Sequence, residues 1–247
     1  LSAWGELRRE LAEWRTAGRS AELWWRDDDA ASLTVPLERL LALSRASGVP
    51  LALAMIPESA HSDAISRAEC ILMHGCDHRN RASAGEKKTE FPAAEDDEAA
   101  LARLAAARAH LASLAGGRFI PVLAPPWNRL RDALIGRLPE AGLHGLSRYG
   151  ARGAPRKGVR EVNTHVDIIA WRGDRGFAGE QAVLASLVRH LEARRRGEAD
   201  AGEATGLLTH HALHDGAAWQ FLARLFDETR AGGAVWRGAR ELFPAPA

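Results

Sequence analysis

The sequence predicts an α/β fold, an irregular (β/α) barrel of about seven parallel strands, and three observations carry that expectation. Short apolar runs alternate with segments of helical period along the whole chain. That rhythm is the mark of repeated strand-then-helix units and a parallel sheet. Polar residues able to do chemistry recur just after those runs, at Asp27-Asp28-Asp29, His74, Pro125-Pro126-Trp127, His165 with Asp167, and His210. The carboxyl ends of strands are where barrel enzymes keep their sites. No Gly-x-Gly-x-x-Gly fingerprint or phosphate loop occurs, which weighs against an open nucleotide-binding sheet.

Taken in order, Trp4, Leu7, Leu11 and Trp14 fall on one stripe and predict a helix over residues 4–17. Leu23 to Arg26 predicts a short buried strand running into the acidic triplet. Leu37 to Ser47 predicts a helix, stopped by Gly48-Val49-Pro50. A strand from Leu51 to Ile56, a short helix from Ser62 to Glu69 and a strand from Cys70 to Met73 follow. The last of these delivers His74. Residues Arg79 to Pro92 are polar and read as a long loop, a length more often functional than not. Lys87, Lys88 and Glu90 read as its solvated face, with a lid over the site as the alternative. Asp96 to Leu114 predicts an Ala-rich helix ended by Gly116-Gly117.

The second half repeats the pattern. Strands are predicted at Phe119–Leu123, Gly145–Tyr149, Val159–Trp171 and Gly206–Thr209, with helices at Asp132–Leu138, Glu180–Arg195 and Ala217–Thr229. Val235-Trp236 reads as a final edge strand. With no low-complexity linker, residues 1–247 read as one catalytic domain.

Composition excludes several classes. The 247 residues carry a formal net charge of +1, so no bulk electrostatic case exists for nucleic acid or an anionic membrane. No run of eighteen apolar residues is present, and no membrane partner is expected. Cys70 and Cys76 are too few for a disulfide framework and read as reduced thiols, Cys76 as a small buried residue. A cytoplasmic location is expected, with export after removal of a signal left open. The oligomeric state is not specified.

His74-Gly75-Cys76-Asp77-His78 puts two histidines four apart. At a helix start they would share a face, and after a strand they would meet across a tight loop. Either geometry brings two imidazoles to one ion. With a carboxylate from the triplet, the set is two histidines and one carboxylate with positions left open. That set suits zinc first, with cobalt, nickel, manganese or iron as alternatives, and it suits hydrolysis. Each residue also has a plainer use. The aspartates could cap a helix, Pro125-Pro126 could end a strand, Trp127 could pack a core, and His165 and Asp167 could make structural hydrogen bonds.

The order of these features resembles the polysaccharide deacetylase family, metal-dependent carbohydrate N-deacetylases built on a distorted (β/α) barrel. Five segments between about residues 20 and 215 correspond to its five motifs. Trp25-Arg26-Asp27-Asp28-Asp29-Ala30 resembles the first, which supplies a base and a metal ligand. His74 to His78 resembles the metal-binding second. Ala124-Pro125-Pro126-Trp127-Asn128 resembles the third, Thr164 to Trp171 the fourth, and Leu207-Leu208-Thr209-His210 the fifth, whose histidine is the catalytic acid. The resemblance implies Asp28 as base, Asp29, His74 and His78 as ligands of a divalent metal, and His210 as acid, with His211 pointing away. A shifted register, Asp27 as base and Asp28 as ligand, stays open. Arg26, Pro126, Trp127, His165 and Asp167 are the expected supporting residues. The family's third motif normally begins with arginine, where Ala124 stands here, and Arg26 or Arg129 is the candidate replacement.

The implied activity is metal-dependent hydrolysis of C–N amide bonds, foremost N-deacetylation of an acetylated sugar or related small amide. The resemblance thus implies a small-molecule or glycan substrate. Two alternatives stay open. One is a same-fold hydrolase of a non-sugar amide, formyl group or cyclic ureide. The other is a silent barrel that binds a glycan or metabolite, which the missing arginine favours.

Overall fold

The structure, a computed structural model, describes residues 2–245. Helix α1 spans Ala3–Thr16; Ser2 caps it by accepting from the Gly5 N–H at 3.2 Å, and Trp4, Leu7, Leu11 and Trp14 are buried along one stripe. Strand β1 spans Glu22–Ala30, longer than the apolar run alone predicts. It continues through Arg26 and the three aspartates because β8 (Thr205–Thr209) pairs with it in parallel, from Leu23 opposite Thr205 to Asp27 opposite Thr209. The ladder satisfies the backbone of this charged stretch inside the protein.

Next come α2 (Val35–Ser47), β2 (Leu51–Met55), α3 (Ser62–Arg67) and β3 (Ile71–Met73). Helix α4 (Asp97–Ala115) starts after Asp96, whose carboxylate accepts from the Ala99 N–H at 3.0 Å, and stops at Gly116, where φ is +54°. Strand β4 spans Phe119–Leu123, as the sequence predicts. The helix predicted from Asp132 is shorter, α5 (Asp132–Ile135), because Gly136 ends it and the turn at Leu138–Ala141 carries Pro139.

The single strand expected over 159–171 is two strands, β6 (Arg160–Glu161) and β7 (Val166–Asp167), and β5 is Gly145–Leu146. Between β6 and β7, Asn163 is fully buried and its Oδ1 accepts from the Arg148 N–H at 2.7 Å, which breaks the strand. Helix α6 (Glu180–Arg196) ends on left-handed Gly197, and α7 (Gly216–Ala231) is capped by Asp215. Strand β9 (Val235–Trp236) pairs with β1 at Glu22 and Leu23, and α8 (Ala239–Leu242) follows. The described residues thus hold nine strands where about seven were expected. Every pairing between these strands for which a register is resolved is parallel. With helices alternating between them, the fold class is the irregular (β/α) barrel.

The chain divides into two compact units. The first comprises Leu1–Asp27, Val35–Leu51 and Thr164–Ala239. There β8 lies between β1 and β7, and Trp25 packs on Phe226 with ring centroids 4.8 Å apart. The second comprises Asp28–Thr34, Ala52–Asn163 and Arg240–Ala247, with strands in the order β2, β3, β4, β5, β6. No helix among the described residues is long and apolar enough to cross a membrane.

The first unit buries a polar cluster beside the start of β8. His165 and His190 stack with centroids 3.9 Å apart. The Gly206 N–H donates to His165 Nδ1 at 3.1 Å, and His190 Nδ1 lies 3.0 Å from Thr205 Oγ1. Burial, then the nearby His165 and Arg194, pushes the His190 imidazole down to about 3. The unfolded chain would protonate His190 near its ordinary value of about 6.5. Between those values the unfolded state binds the extra proton, so stability is full above about pH 6.5 and falls as pH drops toward 3. His190→Phe, which keeps a stacking ring, is expected to lose less stability than the unmutated protein between pH 7 and 5. Urea unfolding at both pH values checks this, and equal losses would discard it.

Candidate active site

His74 leaves the end of β3, its backbone N–H bonded to the Met55 carbonyl of β2 at 2.8 Å. The residues that follow form a tight loop rather than a helix, with Gly75 at φ +64° and His78 at φ +57°. This turn folds the two imidazoles back toward one point. His74 Nε2 lies 3.0 Å and His78 Nε2 3.1 Å from the same oxygen, Oδ1 of Asp29.

The donor set fits a metal. His74 Nδ1 is 2.9 Å from the Ala124 carbonyl, which only accepts, so that nitrogen carries the hydrogen. Nε2 faces a carboxylate oxygen, a contact that an imidazolium proton or a cation shared with Asp29 would satisfy. Ligands bound tetrahedrally at zinc-like lengths stand about 3.3 Å from one another, close to the separations found. A backbone carbonyl orienting a histidine is the usual outer support of such a ligand. Ala124, placed where the resembled motif has arginine, therefore supports the site through its backbone.

Backbone strain gathers here. The non-glycine residues with positive φ among the described ones are Asp29, His78, Trp127, Asn128 and Arg175. All but Arg175 belong to the triad or to the segment packed on it. Such conformations cost about 1–3 kcal/mol each and persist where surroundings impose them. The Trp127 ring packs on His78, centroids 4.7 Å apart. Pro126 is buried against Gly75, where an added Cβ would stand 2.0 Å from Glu90 Oε2 and 2.6 Å from Pro126 Cδ. Gly75→Ala is expected to destabilise the protein by about 1–3 kcal/mol through strain and overpacking. Denaturant unfolding measures it, and an unchanged midpoint would refute the packing argument.

In the first unit, His210 follows β8 and is buried, its Nδ1 without a hydrogen-bond partner. Trp171 meets its ring edge-on at 4.7 Å. Trp171 Nε1 donates to Asp167 Oδ2 at 2.7 Å, and the Ile169 N–H donates to Asp167 Oδ1 at 2.9 Å. Asp167 thus fixes the indole that flanks His210.

No family sequence model matches the chain, and no curated protein matches it by sequence. Solved structures do. A Mycobacterium smegmatis protein assigned as a polysaccharide deacetylase superposes with a TM-score of 0.68 at 16% identity, covering 91% of this chain and 89% of that one. A peptidoglycan N-acetylglucosamine deacetylase gives 0.59 at 13% identity, covering 92% and 90%. An acetyl xylan esterase of family 4 from Clostridium thermocellum, solved with a cobalt ion, gives 0.53 at 13% identity, covering 90% of each chain. The chain has the polysaccharide deacetylase fold.

Within this deacetylase fold the three aspartates part ways. Asp29 turns to His74 and His78. Asp27 is fully buried in the first unit, where it accepts from Thr209 Oγ1 at 2.6 Å and from the His211 N–H at 3.0 Å, and lies 2.5 Å from His211 Nδ1. Burial alone would raise the Asp27 carboxyl, but His211, with His214 and Thr209, outweighs it and holds the group below its ordinary value. Asp27 is thus committed to Thr209 and His211 rather than to the histidine pair. His211 closes on Asp27, which is not one of the three residues that converge at Asp29. Asp28 is 2% exposed, because β1 carries it into the interior.

The supporting residues also separate. His165 and Asp167 were expected to serve one site together. His165 instead lies beside Gly206, four residues and about 13 Å of strand before His210. Its partners, Glu203, Gly206 and His190, are structural. Arg129 is exposed and donates to the Lys88 carbonyl at 2.7 Å, so it does not stand in for the arginine of the third motif. Arg26 is fully buried in β1. Cys76 is buried as expected, and burial raises its thiol. Glu90 contradicts its reading as a solvated loop residue. It is fully buried, while Lys87 and Lys88 stay exposed. The adjacent apolar Phe91, also buried, was the one local sign that the loop turns inward there.

Proposed function

We propose that this chain is a metal-dependent hydrolase of C–N amide bonds that removes acetyl groups from an N-acetylated sugar or related small amide. The observation that carries the reading is the convergence of His74 and His78 on Asp29, with the His74 tautomer set by Ala124. The shared fold adds support, because its solved examples include a peptidoglycan N-acetylglucosamine deacetylase and an esterase holding cobalt.

Asp29, His74 and His78 would hold the ion, zinc foremost, and leave positions open. When bound, such an ion polarises an acyl oxygen and lowers the pKa of water. The Asp28 carboxylate accepts the proton of the attacking water, whose oxygen forms the new bond to the acyl carbon. The C–N bond then breaks, and His210 protonates the departing nitrogen, since an amine leaves poorly as an anion. Asp167, through Trp171, orients His210. Pro126 and Trp127 brace His78 and border the space where the acyl group would lie.

The test is acetate and formate release from a panel of N-acylated sugars and small amides, using metal-depleted and metal-restored protein. Acetate should appear, vanish on depletion and return with the ion. Formate or ureide products alone would move the substrate class away from acetyl amides. Bound metal without any product would identify a silent binding barrel.

A further inference from the structure

We infer that Glu90 is a positioning residue that sets the geometry of the metal ligands, an inference that rests on the proposed metal role of Asp29, His74 and His78. Glu90 comes from the long polar loop between β3 and α4, yet none of it is exposed. Its Oε1 accepts from the Cys76 N–H at 2.8 Å and the Asp77 N–H at 3.2 Å. Those two N–H groups belong to the middle of the turn that joins His74 to His78. One carboxylate oxygen therefore ties down the segment between two ligands.

The surroundings show that this contact is built. Gly75 adopts φ +64°, and any side chain there would collide with Glu90 Oε2 and Pro126. Arg103 holds the brace from behind. Its Nη2 donates to the Glu90 carbonyl at 3.2 Å, and its Nη1 lies 3.4 Å from Oε1. The Arg103 side chain is itself anchored on Glu95 at 2.8 Å. Arg81, 4.0 Å from Glu90 Oε1, pairs with Asp77 and closes the turn from its other side. A buried carboxylate is costly unless hydrogen-bonded and near positive charge. Oε1 has both, from the Cys76 and Asp77 N–H groups and the Arg103 guanidinium, while the buried Oε2 has no hydrogen-bond partner.

Without the acceptor, the buried Cys76 N–H and the half-buried Asp77 N–H lose their partner and the turn is free to relax. His74 stays fixed by Ala124, but His78 has no comparable backbone anchor and sits on strained φ. The ligand that drifts is therefore His78. Loss of outer support typically costs 10–100-fold in metal affinity.

The test measures zinc affinity of metal-depleted protein by chelator competition, beside the thermal midpoint of the metal-free form. Glu90→Ala is expected to weaken zinc about 10–100-fold. Glu90→Gln keeps a carbonyl oxygen at the Oε1 position and should recover most of that loss. Leu111→Ala, a core change in α4 away from the turn, should lower the thermal midpoint but leave zinc affinity unchanged. Should Glu90→Ala fail to fold, Glu90→Asp, too short to reach both N–H groups, is expected to weaken zinc in the same direction. Unchanged affinity in both Glu90→Ala and Glu90→Asp would overturn the brace. So would Glu90→Gln binding as weakly as Glu90→Ala, or Leu111→Ala losing as much. Failure of the unmutated protein to take up zinc would instead sink the metal reading, and the brace with it.

Discussion

His74→Ala, His78→Ala and Asp29→Asn are each expected to lose the metal and, with it, amide hydrolysis. Two imidazole nitrogens stand 3.0 and 3.1 Å from one Asp29 carboxylate oxygen, so no second carboxylate is needed to complete the set. Removing an outer support typically costs 10–100-fold in affinity, and loss of a ligand itself should exceed about 100-fold. The neighbouring aspartates make the controls. Asp28→Asn should keep the metal and lose rate, by about 100- to 10,000-fold if it is the base. Asp27→Asn should keep the metal but fold less stably, because it breaks a buried pair with His211, a change that typically costs about 3–5 kcal/mol. Elemental analysis after dialysis, with turnover on an N-acetylated substrate, separates the three. Full metal in His78→Ala, or metal loss in Asp28→Asn with Asp29→Asn unaffected, would overturn the ligand assignment.

His210→Ala is expected to slow amide hydrolysis by about 100- to 10,000-fold, the usual contribution of a general acid. Metal content should not change, since the triad lies in the other compact unit and draws no ligand from β8. The defect should shrink on an activated aryl ester, whose leaving group departs as a stable anion and needs no proton. Trp171→Phe keeps the aromatic edge against His210 but gives up the bond to Asp167, so a smaller loss of the same kind is expected. Equal losses on amide and activated ester would remove His210 from the acid role. Loss of metal in the same variant would make it a ligand.

Much of this was legible in the residues themselves. Alternating apolar runs and helical stretches determined the parallel α/β architecture, and the helix starts predicted at Trp4, Asp96 and Ala217 each fall within one residue of those in the structure. These signals are local: a cap or a hydrophobic stripe depends on residues within a turn or two. The spacing of His74 and His78 after an apolar run was likewise enough to make them candidate partners. Even the strand pattern failed only where local evidence was thin, as at 159–171, where buried Asn163 breaks the run through a bond to Arg148.

What only the tertiary structure decided was which of several chemically identical groups meets which partner. Three consecutive aspartates look alike to any local rule. Asp29 meets His74, 45 positions on, while Asp27 meets His211, 184 positions on. The pairing of β1 with β8 brings Thr209 opposite Asp27. Glu90 followed the same logic: an acidic residue in a polar loop reads as solvated until Cys76 and Asp77 present their N–H groups to it. Burial of a charge is favourable only when distant donors compensate it, so the destination of each carboxylate is a property of the assembled fold.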